Sequence, residues 1–168
     1  MAWTDPAGHV WAVGEVLGAG NLNTYVRLNL TDLDRRTTPT SASVATNQTT
    51  ASTSYTDLAT AGPAVTVAIG TTGNADLDLF VSLSNATATD HAFYSYAVSG
   101  ATTVAANDNN APTIIQTSAA NNAGIQVGAG ALKTGLTAGS NTFTAKYRAD
   151  ASTAAFLNRN IVVRPLGS

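Results

Sequence analysis

Residues 74–83 read NADLDLFVSL, and this stretch decides the fold of the chain. Its aliphatic side chains, Leu77, Leu79, Val81 and Leu83, occupy every second position. Successive side chains of an extended strand point to opposite faces, so this spacing places all four on one face. The pattern predicts a β-strand with one face buried in a core.

Further segments of the chain carry comparable strand signals, and turn-forming clusters at residues 70–74, 107–110 and 138–140 punctuate them. Many short strands with such punctuation predict an all-β, jelly-roll-like antiparallel β-sandwich rather than a parallel α/β sheet. The predicted strands are Val65 to Ile69, Leu77 to Leu83, Ala92 to Val98, Thr113 to Thr117, Gly124 to Ala129, Thr142 to Arg148 and Ala154 to Arg164.

One segment before the strands has a different periodicity. Between Asn21 and Arg36 four apolar residues recur at spacings of four, four and three, which is typical of one face of a helix. We predict an amphipathic helix of about four turns, ended by Pro39. Its apolar stripe must pack either on the β domain or on copies of itself. The stripe consists of Leu22, Val26, Leu30 and Leu33.

The first 16 residues form no sustained helix or strand pattern, but they contain Trp3 and Trp11. Large aromatic side chains often anchor interfaces, so we interpret this segment as an extended arm that docks on another surface. The alternative is that both tryptophans fold back onto their own domain. The chain therefore divides into residues 1–39, an arm and helix for attachment or trimerisation, and residues 40–168, a β-sandwich.

The composition argues against nucleic acid as a partner. Charged residues make up 11% of the chain, against about 25% in an average domain, and the net charge is −2. Arg35 and Arg36 are the only adjacent basic pair, so no basic stripe is available to neutralise phosphates. A weakly charged surface rich in Ala and Thr instead suits stable contact with other subunits.

Targeting signals are also missing from the sequence. No apolar run approaches the roughly 20 residues needed to span a bilayer, and the N-terminus has no signal-peptide pattern. We therefore expect a soluble protein made in a cytoplasm, with no membrane partner. The chain has no cysteine, so its stability must come from packing and assembly rather than from disulfides.

The residues able to carry chemistry are sparse. His9 and His91 lie far apart, and Glu15 is the single glutamate. These residues make no metal-ligand spacing and no catalytic triad. Gly18-Ala19-Gly20 and Gly128-Ala129-Gly130 complete no nucleotide-binding motif, and we interpret their glycines as turn or bulge residues. The sequence predicts no catalytic residue and no cofactor, and hence a protein that is not an enzyme.

One cluster resembles a cation site. Asn74, Asp76 and Asp78 alternate along the predicted strand, so their oxygen atoms share one face. Ca²⁺ needs about six oxygens converging from a loop, whereas these project from an extended strand. A solvated outer face explains them more simply than a metal site.

Three stretches carry a resemblance to a known family. Residues 14–30 read GEVLGAGNLNTYVRLNL, and residues 142–148 and 154–166 read TFTAKYR and AAFLNRNIVVRPL. The first resembles the run G-E-x-L-T-A-A-x-L-N-T-Y-V-R-D-N-L that precedes a β domain in small virion proteins of tailed phages. The others resemble the closing hairpin of those proteins. The chain departs from the family at Gly18 and Gly20, where a threonine cap and an alanine are usual.

This resemblance implies a non-enzymatic structural protein located in the virion. Such proteins form trimers on a capsid or tail, so the expected partners are further copies of the chain and the major capsid protein or another virion protein. A capsid decoration protein is the first hypothesis. The alternative is a head- or tail-fibre module that binds a host-surface glycan, with Tyr94 and Tyr96 as the binding platform. A glycan depolymerase would need paired carboxylates, which the sequence does not offer.

Overall fold

The computed structural model of the protein describes residues 13–14, 16, 18–87, 89–110, 114–117 and 125–167. Trp3, Trp11, His9 and Glu15 lie outside these residues. The helical elements are α1 (Ala19–Asn21), a π-helical segment (Leu22–Arg27) and α2 (Leu28–Thr37). The strands are β1 (Thr40–Val44), β2 (Gln48–Thr50), β3 (Ala64–Ile69), β4 (Asn74–Asn85), β5 (His91–Gly100), β6 (Ile114–Thr117), β7 (Ile125–Lys133), β8 (Gly139–Ala149) and β9 (Ala154–Leu166).

The strands form two antiparallel sheets that face each other. One has the order β1-β9-β4-β7, with β2 also paired to β9, and the other has the order β3-β8-β5-β6. With β1 and β2 counted as one interrupted strand, this is the arrangement of a jelly roll, in which the chain passes repeatedly from one sheet to the other. The predicted all-β, jelly-roll-like antiparallel sandwich is confirmed.

The core lies between the two sheets and is built by the period-two pattern of the strands. Residues of β4 alternate regularly between buried and partly exposed positions, and the four aliphatic residues that define its inner face are all at most 1% exposed. Aromatic side chains fill the centre. Tyr147 stacks on Tyr94 and meets Phe156 edge to face, with centroid distances of 5.4 and 4.9 Å.

A β-bulge interrupts the pairing of β4 with β9. Phe80 lies opposite Asn160 and Ser82 lies opposite Leu157, so β9 contains one residue more than its partner. Asn158 adopts a left-handed backbone with φ 51° at this point, a conformation that asparagine tolerates better than most residues. The bulge therefore bends β9 and leaves the Asn158 side chain exposed.

The extra residue also changes which positions of β9 face the core. Before the bulge the buried residues are Ala154 and Phe156, and after it they are Arg159, Ile161, Val163 and Pro165. Without the shift, an arginine could not occupy an inward position next to these apolar residues. The bulge thus places a guanidinium inside the sandwich.

All seven predicted strands are present. Six extend beyond a predicted bound by one to several residues, whereas β6 ends at Thr117 as predicted. The predicted first residues of β6 and β7, Thr113 and Gly124, lie outside the described residues. The prediction missed β1 and β2, which lie along β9 at the edge of the larger sheet. Their sequences are TSASV and QTT, and their side chains alternate between exposed and partly buried. Edge strands with no large apolar side chain carry no periodic signal in the sequence.

The predicted helix is confirmed and occupies residues 19–37 without a break. Gly18 is its N-cap and makes no side-chain cap hydrogen bond, and Thr38 is its C-cap. Gly20 lies inside the helix rather than in a turn. The π-helical turns were not predicted; such turns widen a helix locally and are frequent at functional sites. No helix in the described part of the chain is long and apolar enough to cross a membrane.

Candidate binding surfaces

The apolar stripe of the N-terminal helix faces solvent. Leu22, Val26, Leu30 and Leu33 are 44%, 42%, 60% and 50% exposed. The helix meets the sandwich through α2, which touches β9 and borders a cleft lined by Thr31, Asp34 and Thr66. The prediction considered two surfaces for the stripe. The first, packing on the β domain of the same chain, is therefore wrong. Trp3 and Trp11, the other two predicted interface residues, lie outside the described residues.

A second surface lies on the outer face of the larger sheet. A groove of about 940 Å³ runs across β9, β4 and β7 there. Phe80 lines the groove and is 46% exposed. The neighbouring outward positions of β4 are polar, namely Asp78 and Ser82. An aromatic residue at an outward position of an otherwise polar strand face is the one signal in the sequence that could have located this surface.

Two glycines of β7 give the groove its shape. Gly128 lies directly opposite Phe80 and Gly130 directly opposite Asp78. A Cβ atom added to Gly128 would lie 2.5 Å from Cδ1 of Phe80, so the aromatic ring occupies the space above this glycine. Both glycines lie within β7, so their interpretation as turn or bulge residues is wrong. They leave open space on a strand face.

Amide side chains border the aromatic ring. Gln126 and Asn158 are exposed, and Asn160 is the cross-strand partner of Phe80. The Oδ1 atom of Asn160 is buried and accepts no hydrogen bond. A buried acceptor without a donor costs about 1–3 kcal/mol, so the floor of the groove holds an unused hydrogen-bonding group.

One carboxylate completes the groove. Asp78 accepts a hydrogen bond from Nη1 of Arg164 at 2.9 Å. Arg164 lies on β9, on the side away from the glycines, and fixes one carboxylate oxygen while Asp78 leans over Gly130. The described residues that line the groove therefore offer one negative group, which is already paired, and no basic group.

A different cluster lies on the outer face of the smaller sheet. Arg148 donates from Nε to Asp108 at 3.1 Å and its guanidinium lies 3.4 Å from the centre of the Phe93 ring. Tyr55 donates its hydroxyl to the same carboxylate at 2.9 Å. The hydrogen bond from Arg148 lowers the pKa of Asp108. These contacts fasten the 101–110 loop to β8, so we interpret the cluster as structural.

Two further ion pairs also join segments that lie next to each other in the fold. Lys146 pairs with Asp57 at 2.8 Å, and Nδ1 of His91 lies 2.5 Å from Oδ2 of Asp150. The backbone hydrogen bond that His91 donates to Asp150, followed by the pairing of the two side chains, lowers the pKa of Asp150. His91 is thus a surface residue bound to a carboxylate.

The prediction that Tyr94 and Tyr96 form an exposed platform for a glycan is wrong. Tyr94 and Tyr96 are 0% exposed. Tyr94 donates its hydroxyl to the carbonyl of Asn160 at 3.0 Å, and burial raises the pKa of Tyr96 to about 12. Both side chains lie on the inner face of β5 and belong to the core between the two sheets.

The structure places Asn74, Asp76 and Asp78 along the outer face of β4, as their spacing predicted. Asp78 is engaged by Arg164. Across the described ranges no three His, Asp or Glu side chains are grouped so as to hold a metal ion.

The fold defines the class of the protein as a jelly-roll domain with an N-terminal helix. No protein-family model matches the chain, and no curated protein matches it. The evidence for function is therefore the exposed stripe on the helix and the groove on the larger sheet.

Proposed function

We propose that the chain is a non-enzymatic structural protein of a tailed-phage virion, a homo-oligomeric capsid decoration protein. The observation that carries the proposal is the exposed apolar stripe of the N-terminal helix. Leu22, Val26 and Leu30 expose two-fifths or more of their surface to water. Burying such side chains is favourable by about 25 cal/mol per Å², so the helix gains stability only when another surface covers it.

Three copies of the helix around a threefold axis would cover the stripe. The spacing of four, four and three residues keeps Leu22, Val26, Leu30 and Leu33 on one side of the helix. Closed cyclic symmetry lets identical surfaces bury one another without leaving a free end. The homotrimer is also what the resemblance of residues 14–30 to small phage virion proteins implies.

The surface of the sandwich supports a role in assembly rather than catalysis. Its charged side chains are few, and the ion pairs described above link segments that are neighbours in the fold rather than in the sequence. Jelly rolls build viral capsid proteins as well as lectins, although a fold alone assigns no function. The partner that we propose beside further copies of the chain is the major capsid protein.

Light scattering of a charge variant tests the assembly. Leu30→Asp places a carboxylate in the middle of the stripe, and we expect the molar mass to fall from that of a trimer to that of a monomer. Asn23→Asp is the matched control, since it adds the same charge to an exposed position off the stripe and should leave the mass unchanged. A wild-type monomer, or a Leu30→Asp trimer, would contradict this packing.

Co-sedimentation tests the location. The purified protein is mixed with emptied heads and, separately, with tails of the phage that encodes it. Binding to heads that saturates at a fixed ratio to the capsid protein supports a decoration role. Binding to tails alone would replace the decoration role by a tail role.

A further inference from the structure

The Phe80 ring has the position of a stacking platform. Phe80 pairs across the sheet with Asn160 of β9 on one side and with Gly128 of β7 on the other, and its ring lies over the glycine. The glycine covers one side of the ring, while 46% of the residue is exposed to solvent. The π-face of an aromatic ring is electron-rich and attracts C–H groups, which carry partial positive charge.

The groups around the ring are suited to hydroxyls. Gln126, Asn158 and Asn160 each combine an amide donor with an acceptor, and a hydroxyl group needs both. The Oδ1 atom of Asn160 has no donor in the protein. The terminal torsion of an asparagine is soft, so a small rotation is enough to turn this acceptor toward the groove.

The charge of the groove limits the class of ligand. Among the described residues that line it, Asp78 is the only charged one, and Arg164 already binds this carboxylate at 2.9 Å. A negatively charged ligand would meet a carboxylate and find no free cation, while a positively charged one would compete with Arg164. A neutral ligand meets neither obstacle.

From these features we infer that the groove between β9, β4 and β7 is a binding site for a neutral saccharide. A pyranose has a C–H face that packs on the Phe80 ring and hydroxyls at its rim that bond to the three amides and to Asp78. The groove of about 940 Å³ lies within the ~300–1,000 Å³ range of small-molecule sites. The inference does not depend on the proposed trimer, because one chain supplies every lining residue.

Saturation-transfer NMR on the full chain tests the site. The probes are the neutral oligosaccharides lactose, maltotriose and chitotriose, with sialyllactose as the acidic comparison. We expect signal transfer to at least one neutral probe, with chemical-shift changes at the amides of Gly128 and Gly130. Phe80→Ala should weaken that binding at least about tenfold, and Phe80→Tyr, which keeps the ring, should retain it.

Two further variants separate stacking from general damage to the sheet. Gly128→Ala keeps the ring but places a Cβ atom only 2.5 Å from Cδ1 of Phe80, so it should displace the ring and weaken binding. Leu132→Ala removes another exposed apolar side chain from the same face of β7, outside the groove, and should bind as the wild type does. Thermal unfolding of every variant checks that the sandwich is intact.

Four results would overturn the inference. They are the absence of transfer to all three neutral probes, unchanged affinity in Phe80→Ala, binding of sialyllactose alone, and a change in molar mass in Phe80→Ala. The last result would make the groove a contact between copies of the chain. Since Leu30→Asp tests the helix separately, failure of the saccharide site and failure of the trimer are distinguishable.

Discussion

The guanidinium of Arg159 lies 5.3 Å from the centre of the Tyr147 ring, inside the sandwich. Arg159 is 0% exposed and donates to the carbonyl of Thr46 and to the side chain of Gln48 at 3.3 and 3.1 Å. These bonds fall where β1 ends and β2 begins. The buried cation thus holds together the interrupted edge of the larger sheet.

Arg159→Ala should be strongly destabilising. The substitution removes the donors to Thr46 and Gln48 and leaves a cavity beside Tyr147, for which we expect a loss of about 3 kcal/mol or more in the free energy of unfolding. Urea denaturation measures this loss. Arg164→Ala is the control on the same strand. Because Arg164 forms a partly exposed ion pair with Asp78, this substitution should lower the free energy of unfolding by under about 1 kcal/mol. Equal losses would contradict a special role for the buried arginine.

Tyr147→Phe should separate the contribution of the hydroxyl to stability from the contribution of the ring. The hydroxyl donates to the carbonyl of Gly62 at 2.5 Å, and its removal leaves that acceptor without its bond, at a cost of about 1–2 kcal/mol. Tyr147→Ala removes the contacts with Tyr94 and Phe156 as well, so it should cost about 3–5 kcal/mol. Denaturant unfolding of both variants checks the order, and equal costs would show that the ring packing contributes little.

The stability of the protein should depend on pH through Asp108. Its pKa is lowered from the ordinary value of 3.8, first by the hydrogen bond from Arg148. A lowered carboxyl pKa in the folded state gives stability that is present above the unfolded pKa and is lost as pH falls through the folded pKa. The side chain is 42% exposed, so the contribution should stay below about 1 kcal/mol.

Asp108→Asn measures that contribution. Its melting temperature should be lower than that of the wild type at pH 7, and the gap should close as the pH falls below about 4. Asp57→Asn is a comparison without Tyr55 and Arg148 as partners. A gap that stays constant down to the acid limit would show that the charge of Asp108 is not the source.

Removal of residues 1–39 should leave the fold and abolish assembly. The first strand begins at Thr40, so the shortened chain keeps both sheets. We expect an unchanged far-UV circular dichroism signal from strands and a monomeric mass by light scattering. A shortened chain that remains a trimer would place the assembly contact on the sandwich.

The strands were predictable wherever one face of the chain enters the core. Leu77, Leu79 and Val81 fill alternate positions because the core accepts only one face of β4, and that alternation is written in the sequence. β1 was not predictable, since TSASV at the edge of the sheet contributes no large side chain to the core. Periodicity in a sequence arises where one face of a strand is buried, and an edge strand buries few side chains.

The groove was not predictable for a different reason. It depends on Phe80 lying opposite Gly128, and these residues are distant in the chain. Cross-strand register is fixed by the whole sandwich, so no local pattern reveals the pair. For the same reason no local pattern excludes a platform of Tyr94 and Tyr96 on the surface, although both side chains face the second sheet and are buried in the core.

The single extra residue in β9 couples two regions that usually change independently. It turns Arg159 into the core and Asn158 out toward the groove. The contacts on both faces of the sheet therefore depend on the same number of residues in β9. Deletion of one residue here would invert the facing of half the strand, whereas most surface segments accept such changes in length. We therefore expect variation of this protein at β9 to proceed by substitution, with the number of residues between Leu157 and Ile161 held fixed.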